Sequence, residues 1–210
     1  MCIRDRLKRA RAPLQAVALD MWPAYSLAIR TVFPQVTIVY DPFHIVKLVN
    51  KAIDNAQREL AAKLPQTIRC RRGLRFVLLR ARDNLDVKGS ALLDELMTIN
   101  RPLYQAYLLK EQLRQLWRLP SASSATRFFA RWIEQANETG LKSFRQLAKT
   151  LSAHQYSILA WYKHRITTGP LEGLNNKIKT LKRQAYGFRD MEYFQLRLAF
   201  IHSAISRFPG

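Results

Sequence analysis

Two short apolar runs near the amino terminus are separated by a segment with helical periodicity. The first run, Ala16–Leu19, ends at Asp20, and the second, Thr37–Tyr40, ends at Asp41. Short apolar runs bounded by polar positions predict buried strands. The segment 24–32 between them predicts a helix. Two strands joined by a helix form a βαβ unit, so these strands should run parallel.

A long helix is predicted from Pro42 to about residue 62, because apolar residues recur there at helical spacing. Asp41 stands at its N-cap and Pro42 at its first position, where the missing N–H costs no hydrogen bond. His44 falls in the first turn, where a packed or capping histidine and a ligand both remain open interpretations. In open α/β sheets ligands bind beyond the carboxyl ends of the strands, which is where Asp20 and Asp41 are expected.

The middle of the chain has a helical pattern almost throughout, from about residue 91 to residue 162. We expect a polar loop over 83–90, then one helical segment over 92–108. Ser121 or Ser123 can cap a later helix. Aromatic residues at helical spacing in this region are expected to fill a core rather than to stack on bases.

A helix with a marked start is predicted within residues 167–183, with Gly169 at its N-cap and Pro170 at its first position. One apolar stripe is formed by Leu171, Leu174, Ile178, Leu181 and Ala185. The flank of that stripe carries Glu172, Asn176, Lys179 and Arg183. A glutamate in a first helical turn commonly just complements the helix dipole. The alternative is an acid that holds a metal ion beside a bound polyanion.

The net charge of the sequence indicates which class of binding partner is favoured. The sequence has 35 Lys and Arg residues against 15 Asp and Glu residues, a net charge of +20. Such an excess favours a polyanionic partner, most often nucleic acid. An anionic membrane surface is the weaker alternative, because the charge is spread over the whole chain. The basic segment 68–82, with Arg71, Arg72 and Arg75, is either a solvated helix face or a surface that contacts phosphates.

Several other classes of protein are disfavoured by the sequence. The two cysteines, Cys2 and Cys70, and the four scattered histidines have no zinc-binding spacing. Sparse cysteine fits a reducing compartment. The basic start is not followed by an apolar segment, so no secretory signal is predicted. No run of 18 apolar residues occurs, so no membrane span is predicted.

Three stretches in this order carry a resemblance to a known family. They are "ALDMWPAY" around Asp20, "DPFHIVKLVN" with Asp41 and His44, and "TGPLEGLNNKIKTLKRQAYGFRD" with Glu172. The sequence resembles the DDE transposases of bacterial insertion sequences, specifically the ISL-three family. The similarity runs from about Ala16 to Phe208. The first stretches are weak signals alone, whereas the third, with the upstream elements correctly placed, is strong.

The resemblance implies an RNase H-like fold with three acidic residues that bind Mg²⁺ or Mn²⁺. The second Asp of the family matches Asp20, its Glu matches Glu172, and its Asp-x-x-His signature near the site matches Asp41 and His44. Expected partners are DNA, as insertion-sequence ends and target, and a second copy of the chain in a homo-oligomer. The residues expected to contact DNA are Lys179, Lys182, Arg183, Arg71, Arg72 and Arg75. The expected location is the bacterial cytoplasm.

The resemblance also implies a domain organisation. We expect a mostly helical α/β chain with a truncated RNase H-like core over 14–62 plus 153–210. An all-α insertion should occupy 63–152, and residues 1–13 are interpreted as a basic tail of adventitious origin. The first catalytic Asp of the family has no counterpart upstream of Asp20, which predicts a C-terminal transposase fragment without cleavage activity on its own.

Two functions of different classes follow. The first is part of a DDE transposase that, when complete, cleaves and joins DNA strands with the help of metal ions. The alternative is a non-catalytic basic DNA-binding protein, a truncated remnant of such an enzyme. An RNA-binding protein is a third interpretation, but no aromatic and basic recognition motif supports it.

Overall fold

The computed structural model of the protein describes residues 14–64, 66, 73–185, 190–197 and 200. These residues divide into two compact units, one up to Thr167 and one from Thr168. The described part is a mostly helical α/β structure with one pair of parallel strands, as expected. The RNase H-like core and the predicted domain limits near residues 62 and 152 stay predictions, and the predicted basic tail, 1–13, lies outside the described residues.

The βαβ unit is present, and its strands have the predicted limits. Strand β1 covers Ala16–Leu19, helix α1 covers Pro23–Val32 and strand β2 covers Thr37–Tyr40. The strands pair in parallel, with the last residues of both strands opposite each other. Three of the four residues of β2 are buried, whereas those of β1 are all half-buried. The carboxyl ends of both strands therefore lie side by side, as the sequence predicted.

Helix α2, Pro42–Leu60, begins directly after β2 and buries one apolar face. Its buried residues recur at helical spacing and are Ile45, Val49, Ala52, Ile53, Ala56 and Leu60. The predicted N-cap is confirmed, because the side chain of Asp41 accepts a hydrogen bond from the backbone N–H of Phe43 at 2.9 Å. A 3₁₀ turn at Ala61–Lys63 continues the helix to its predicted end.

The rest of the first unit, within the described residues, is helical. Its helices are α3 Leu74–Leu79, α4 Val87–Ile99, α5 Arg101–Gln115, α6 Ala122–Glu138, α7 Lys142–Ala153, α8 Gln155–Leu159 and α9 Trp161–His164. Short 3₁₀ turns occur at Arg82–Asn84 and Leu116–Arg118. Helix α2 packs mainly against α5 and α7, and α8 packs against β2. The helix that starts at the strand edge is therefore also the centre of the helical body.

Two carboxylates of α2 hold neighbouring helices in place. Arg75 on α3 donates from Nε and Nη2 to the two oxygens of Asp54, each at 2.8 Å. Glu59 accepts the backbone N–H groups of Lys142 and Ser143 at 3.0 and 2.8 Å, at the start of α7. The first N–H groups of a helix have no intrahelical acceptor. Glu59 therefore caps α7 from a distant part of the chain.

The predicted polar loop over 83–90 is wrong in its second half, because α4 begins at Val87. Asp86 is its N-cap, and its Oδ1 accepts the backbone N–H of Gly89 at 2.8 Å. A Cβ atom at residue 89 would lie 2.9 Å from that same oxygen, so glycine here allows close approach of the cap. The glycine that suggested a loop thus belongs to the first helical turn.

The predicted single helical segment over 92–108 is wrong, because it is divided at Asn100 between α4 and α5. The side chain of Asn100 accepts the backbone N–H of Leu103 at 3.1 Å and so caps α5. Pro102 lies in the first turn of α5, where it fits a helix start better than a helix interior. Of the two serines predicted as the next cap, Ser121 is the one that caps α6.

The second unit contains helix α10, Gly169–Gln184, which begins one residue earlier than predicted. Its N-cap is Thr168, so the assignment of Gly169 to that position is wrong. Only the later part of the predicted apolar stripe is buried: Leu181 is buried, Leu174 and Ile178 are half-buried, and Leu171 and Ala185 are exposed. Residues 191–197 are helical, as predicted, whereas the turn at 186–189 and the end of that helix, 201–208, lie outside the described residues.

No helix in the described part of the chain is both long enough and apolar enough to cross a membrane.

The side chain of Lys110 on α5 is fully buried in the first unit. Its Nζ donates to the backbone carbonyls of Leu78 at 2.8 Å and Arg80 at 2.6 Å, where α3 ends, and lies 3.0 Å from Oε1 of Glu111. Burial lowers the pKa of Lys110, and the hydrogen bond to Glu111 opposes that shift. Carbonyls at the end of a helix have no intrahelical donor, so the ammonium closes this helix from inside the core.

We predict that Lys110→Met lowers the free energy of unfolding by about 2–4 kcal/mol, because it leaves buried carbonyls without a donor. Urea denaturation with an unchanged slope measures the difference. The same substitution at the exposed Lys149 is the control, with an effect within about 0.5 kcal/mol. Similar small effects of the two substitutions would contradict the prediction.

Candidate functional site

Asp20 and Asp41 lie at the same edge of the two-stranded sheet. Each follows the last residue of its strand, and those last residues, Leu19 and Tyr40, are directly opposite each other. The backbone N–H of Asp41 donates to the carbonyl of Leu19 at 3.1 Å, which extends the pairing to the site itself. Parallel strands therefore bring together two carboxylates that are separated by the whole of α1.

His44, in the first turn of α2, contacts both carboxylates. Its Nε2 lies 2.5 Å from Oδ1 of Asp20, and its Nδ1 lies 3.8 Å from Oδ2 of Asp41. The exposed fraction of the side chain rises from 4% at Asp41 to 17% at His44 and 43% at Asp20. The imidazole thus connects a buried carboxylate to one that solvent and ligands can reach.

The buried carboxylate has a structural role of its own. One oxygen of Asp41 caps α2 through the N–H of Phe43, and the other faces Nδ1 of His44. The cap fixes the Asp41 side chain, and the first turn of α2 fixes the backbone of His44 beside it. The imidazole that contacts Asp20 therefore starts from a well-defined helix position.

A depression of about 350 Å³ opens in front of Asp20. Its lining residues come from the end of β1, the start of α1 and the first two turns of α2, and are Asp20, Met21, Trp22, Tyr25, His44, Lys47 and Leu48. The site thus combines an exposed carboxylate, an imidazole, aromatic rings and a lysine. Such a mixture suits a ligand with a charged group and a flat apolar part.

The carboxylate of Asp20 offers the hard oxygen donors that Mg²⁺ prefers, so its chemistry fits the predicted metal. Within the ranges that the structure describes, however, no three His, Cys, Asp or Glu side chains are arranged to hold a metal ion. Asp20, Asp41 and His44 alone are therefore not a complete metal site. Further carboxylates would have to join Asp20 to make one.

Glu172 lies in the first turn of α10, in the second unit, and is half-buried. Asn176, Lys179 and Arg183 are exposed on the same helix, on the flank where the periodicity placed them. The local prediction of an acid beside a basic, amide-bearing edge agrees with this helix. That Glu172 converges on Asp20 stays a prediction.

The residues predicted to contact DNA differ in their surroundings, and two of them are not described by the structure. Arg71 and Arg72 lie outside the described residues. The guanidinium of Arg75 is bound to both oxygens of Asp54, which also raises its pKa, so much of its charge is neutralised within the protein. Lys182 is exposed, with Nζ 5.2 Å from the ring centre of Phe194.

Comparison with known proteins decides the family. The sequence profile of the ISL-three DDE transposases, described as "Transposase", matches residues 2–198. The chain belongs to this transposase family. The transposase for insertion sequence element IS1001 of Bordetella parapertussis is 40% identical over 201 residues, covering 94% of this chain and 48% of that protein. The transposase for IS1557 of Mycobacterium tuberculosis is 31% identical over 173 residues, covering 71% of this chain and 39% of that protein.

The chain spans half or less of the length of these curated relatives. No solved structure matches it significantly. The family match confirms the resemblance inferred from the sequence, and its limits include Asp20, Asp41, His44 and Glu172. The roles of individual residues are therefore inferred from the geometry around Asp20.

Some exposed basic and aromatic residues did not stand out from the sequence. Lys142, Arg145 and Lys149 form an exposed basic stripe on α7, and their spacing of three and four residues was the available signal. The sequence also gave no sign that Trp22 and Tyr25 are exposed beside Asp20, since aromatic residues at helical spacing usually belong to a core.

We predict that Asp41→Ala lowers the free energy of unfolding by about 1 kcal/mol, because it removes the N-cap of α2. Asp41→Asn retains an oxygen that can accept from the N–H of Phe43, so it should cost less. Chemical denaturation of the two variants measures both effects. If Asn and Ala are equally destabilising, the charge of Asp41 beside His44 matters more than its hydrogen bond to the helix start.

Proposed function

We propose that this chain carries part of the catalytic centre of an insertion-sequence transposase, with Asp20 and Glu172 as two of its metal-binding carboxylates. The observation that carries the proposal is the exposed Asp20 carboxylate at the end of a parallel strand, contacted by His44. Family membership supports it, because the match includes both acids. In the complete protein, the activity would be cleavage of DNA strands and their transfer to a target.

Each residue of the described site has a role that follows from its contacts. His44 contacts Oδ1 of Asp20, so Oδ2 is the oxygen proposed to bind the metal. Asp41 caps α2 and is only 4% exposed, so its proposed role is to support the helix start that carries His44 and not to bind the metal. A bound Mg²⁺ or Mn²⁺ would stabilise charge on the attacking and leaving oxygens of a phosphodiester.

Binding of DNA is the part of the function that the composition supports most directly. The net charge is +20, and exposed cations occur in both units, for example Lys149 on α7 and Lys179 on α10. Their proposed partners are the phosphates of insertion-sequence ends and of target DNA, bound by a homo-oligomer in the bacterial cytoplasm. Contacts of this kind release counterions, so they weaken steeply as salt rises.

A non-catalytic DNA-binding protein is the second candidate function. It is supported by the net charge of +20, which favours a polyanionic partner whether or not the chain takes part in catalysis. The two candidates differ in what they require of Asp20 and Glu172. Catalysis requires both carboxylates, whereas DNA binding alone requires neither.

We expect the chain to bind duplex DNA with little sequence preference and with an affinity that falls steeply with salt. Lys179→Ala should reduce the slope of log affinity against log salt by about 1, because one phosphate contact is lost. Fluorescence anisotropy between low and physiological salt measures the slope. Thr180→Ala, at a neighbouring exposed and uncharged position, is the control and should leave the slope unchanged. A flat salt dependence of the unsubstituted chain would contradict DNA binding through phosphates.

We expect Glu172→Gln to lower the rate of strand cleavage by orders of magnitude in the full-length protein. The amide keeps the shape of the side chain but not the charge that holds a divalent ion. A role limited to the helix dipole would cost only about 0.3–1 kcal/mol of stability. Asp20→Asn should have the same effect on cleavage as Glu172→Gln.

The measurement is Mg²⁺-dependent cleavage of a DNA that carries the terminal repeats. Glu192→Gln makes the same change at an exposed acid of the second unit and should leave cleavage intact. In the absence of metal, none of these variants should weaken DNA binding, because each only removes a negative charge. Near-normal cleavage by Glu172→Gln would mean that this acid only complements its helix.

A further inference from the structure

Two large aromatic side chains are exposed directly beside Asp20. Trp22 is 61% exposed and Tyr25 is 57% exposed, and both line the depression that opens in front of that carboxylate. Aromatic rings of this size are normally buried or packed against a partner. Of the other three tryptophans, Trp132 is fully buried and Trp117 and Trp161 are half-buried. Trp22 and Tyr25 are set apart from other exposed aromatic residues because they share one depression with the Asp20 carboxylate.

One lysine also lines this depression. Lys47 on α2 lines it, and Nζ of Lys47 lies 4.3 Å from the ring centre of the exposed Phe43. Lys51 follows one turn later and is also exposed. A ligand that fits this depression thus needs a flat face for the rings and an anionic group for the lysines.

A nucleotide has both properties. Its base stacks on aromatic rings regardless of sequence, and its phosphate pairs with lysine. The volume of about 350 Å³ falls at the lower end of the roughly 300–1,000 Å³ typical of small-ligand pockets. A covering segment of protein would bury the rings equally well, but it would not by itself account for Lys47 in the same depression.

We propose that the depression lined by Trp22, Tyr25 and Lys47 binds an unpaired base of the DNA substrate, with the adjoining phosphate directed toward Lys47. This proposal rests on the proposed function, since it requires that the chain binds DNA. It adds a base-binding pocket next to the exposed Asp20 carboxylate. The pocket would hold a nucleotide out of the helical stack beside the position where strand chemistry is proposed.

The test compares two duplexes that differ only in one base. Both contain one central nucleotide without a pairing partner. In one duplex this nucleotide carries the base 2-aminopurine, and in the other it carries no base. The 210-residue chain should bind the first duplex about tenfold more tightly, the size expected for one base stacked on an aromatic side chain. The fluorescence of 2-aminopurine should fall on binding, because stacking on an aromatic ring quenches it.

Three variants separate the pocket from general effects on the protein. Trp22→Leu keeps an apolar side chain but removes the ring, so it should abolish both the preference and the quenching. Trp22→Phe keeps a ring and should retain most of each. Tyr156→Leu removes an aromatic ring that is 78% exposed in a different depression, and it should change neither.

The outcomes that overturn the proposal are distinct. Equal affinity of the unsubstituted chain for the two duplexes overturns the base pocket while leaving DNA binding intact. A loss of affinity in Trp22→Leu that is the same for both duplexes also overturns it, since the ring then serves folding or a protein contact. Absence of binding to either duplex at low salt overturns the proposed function together with the pocket.

Discussion

The parallel pairing of two four-residue strands is the constraint on which the described site depends. It places Leu19 beside Tyr40, so the residues that follow, Asp20 and Asp41, leave the sheet at the same edge. A shift of one residue in this register would reverse the faces to which the strand side chains point and would bury the site differently. Ile38 and Val39 on β2 are both buried, so the strand that leads into Asp41 is anchored in the hydrophobic core.

Helix α2 connects the site at the strand ends to the helical body. It begins at the site with Asp41 and His44, and it ends with Asp54 bound to α3 and Glu59 capping α7. A side chain on a rigid helix is held more accurately than one on a loop, and accurate placement matters because a carboxylate displaced by an ångström no longer binds the same ligand. The helices that surround α2 therefore contribute to the geometry at Asp20, although none of their side chains reaches it in the described contacts.

The sequence predicted the two strands, their parallel pairing and the Asp41 cap, but not the contacts between distant parts of the helical body. Strand limits and the Asp41 cap follow from interactions between residues a few positions apart, and the structure reproduces them. The capping of α7 by Glu59 and the pairing of Arg75 with Asp54 join residues that only the fold brings together, so no spacing rule indicates them. The break at Asn100 was missed because apolar periodicity continues through it, and only the cap and the following proline mark the boundary.

Electrostatics give a reason to regard the exposed Asp20 carboxylate as more than a structural group. A phosphodiester brought within 4 Å of it would be repelled by about 4 kcal/mol at an effective dielectric constant of 20. A surface of net charge +20 attracts DNA, yet this carboxylate would oppose the last step of approach unless a cation lies between the two anions. The proposed metal ion would remove this repulsion, because it would lie between the Asp20 carboxylate and the phosphate.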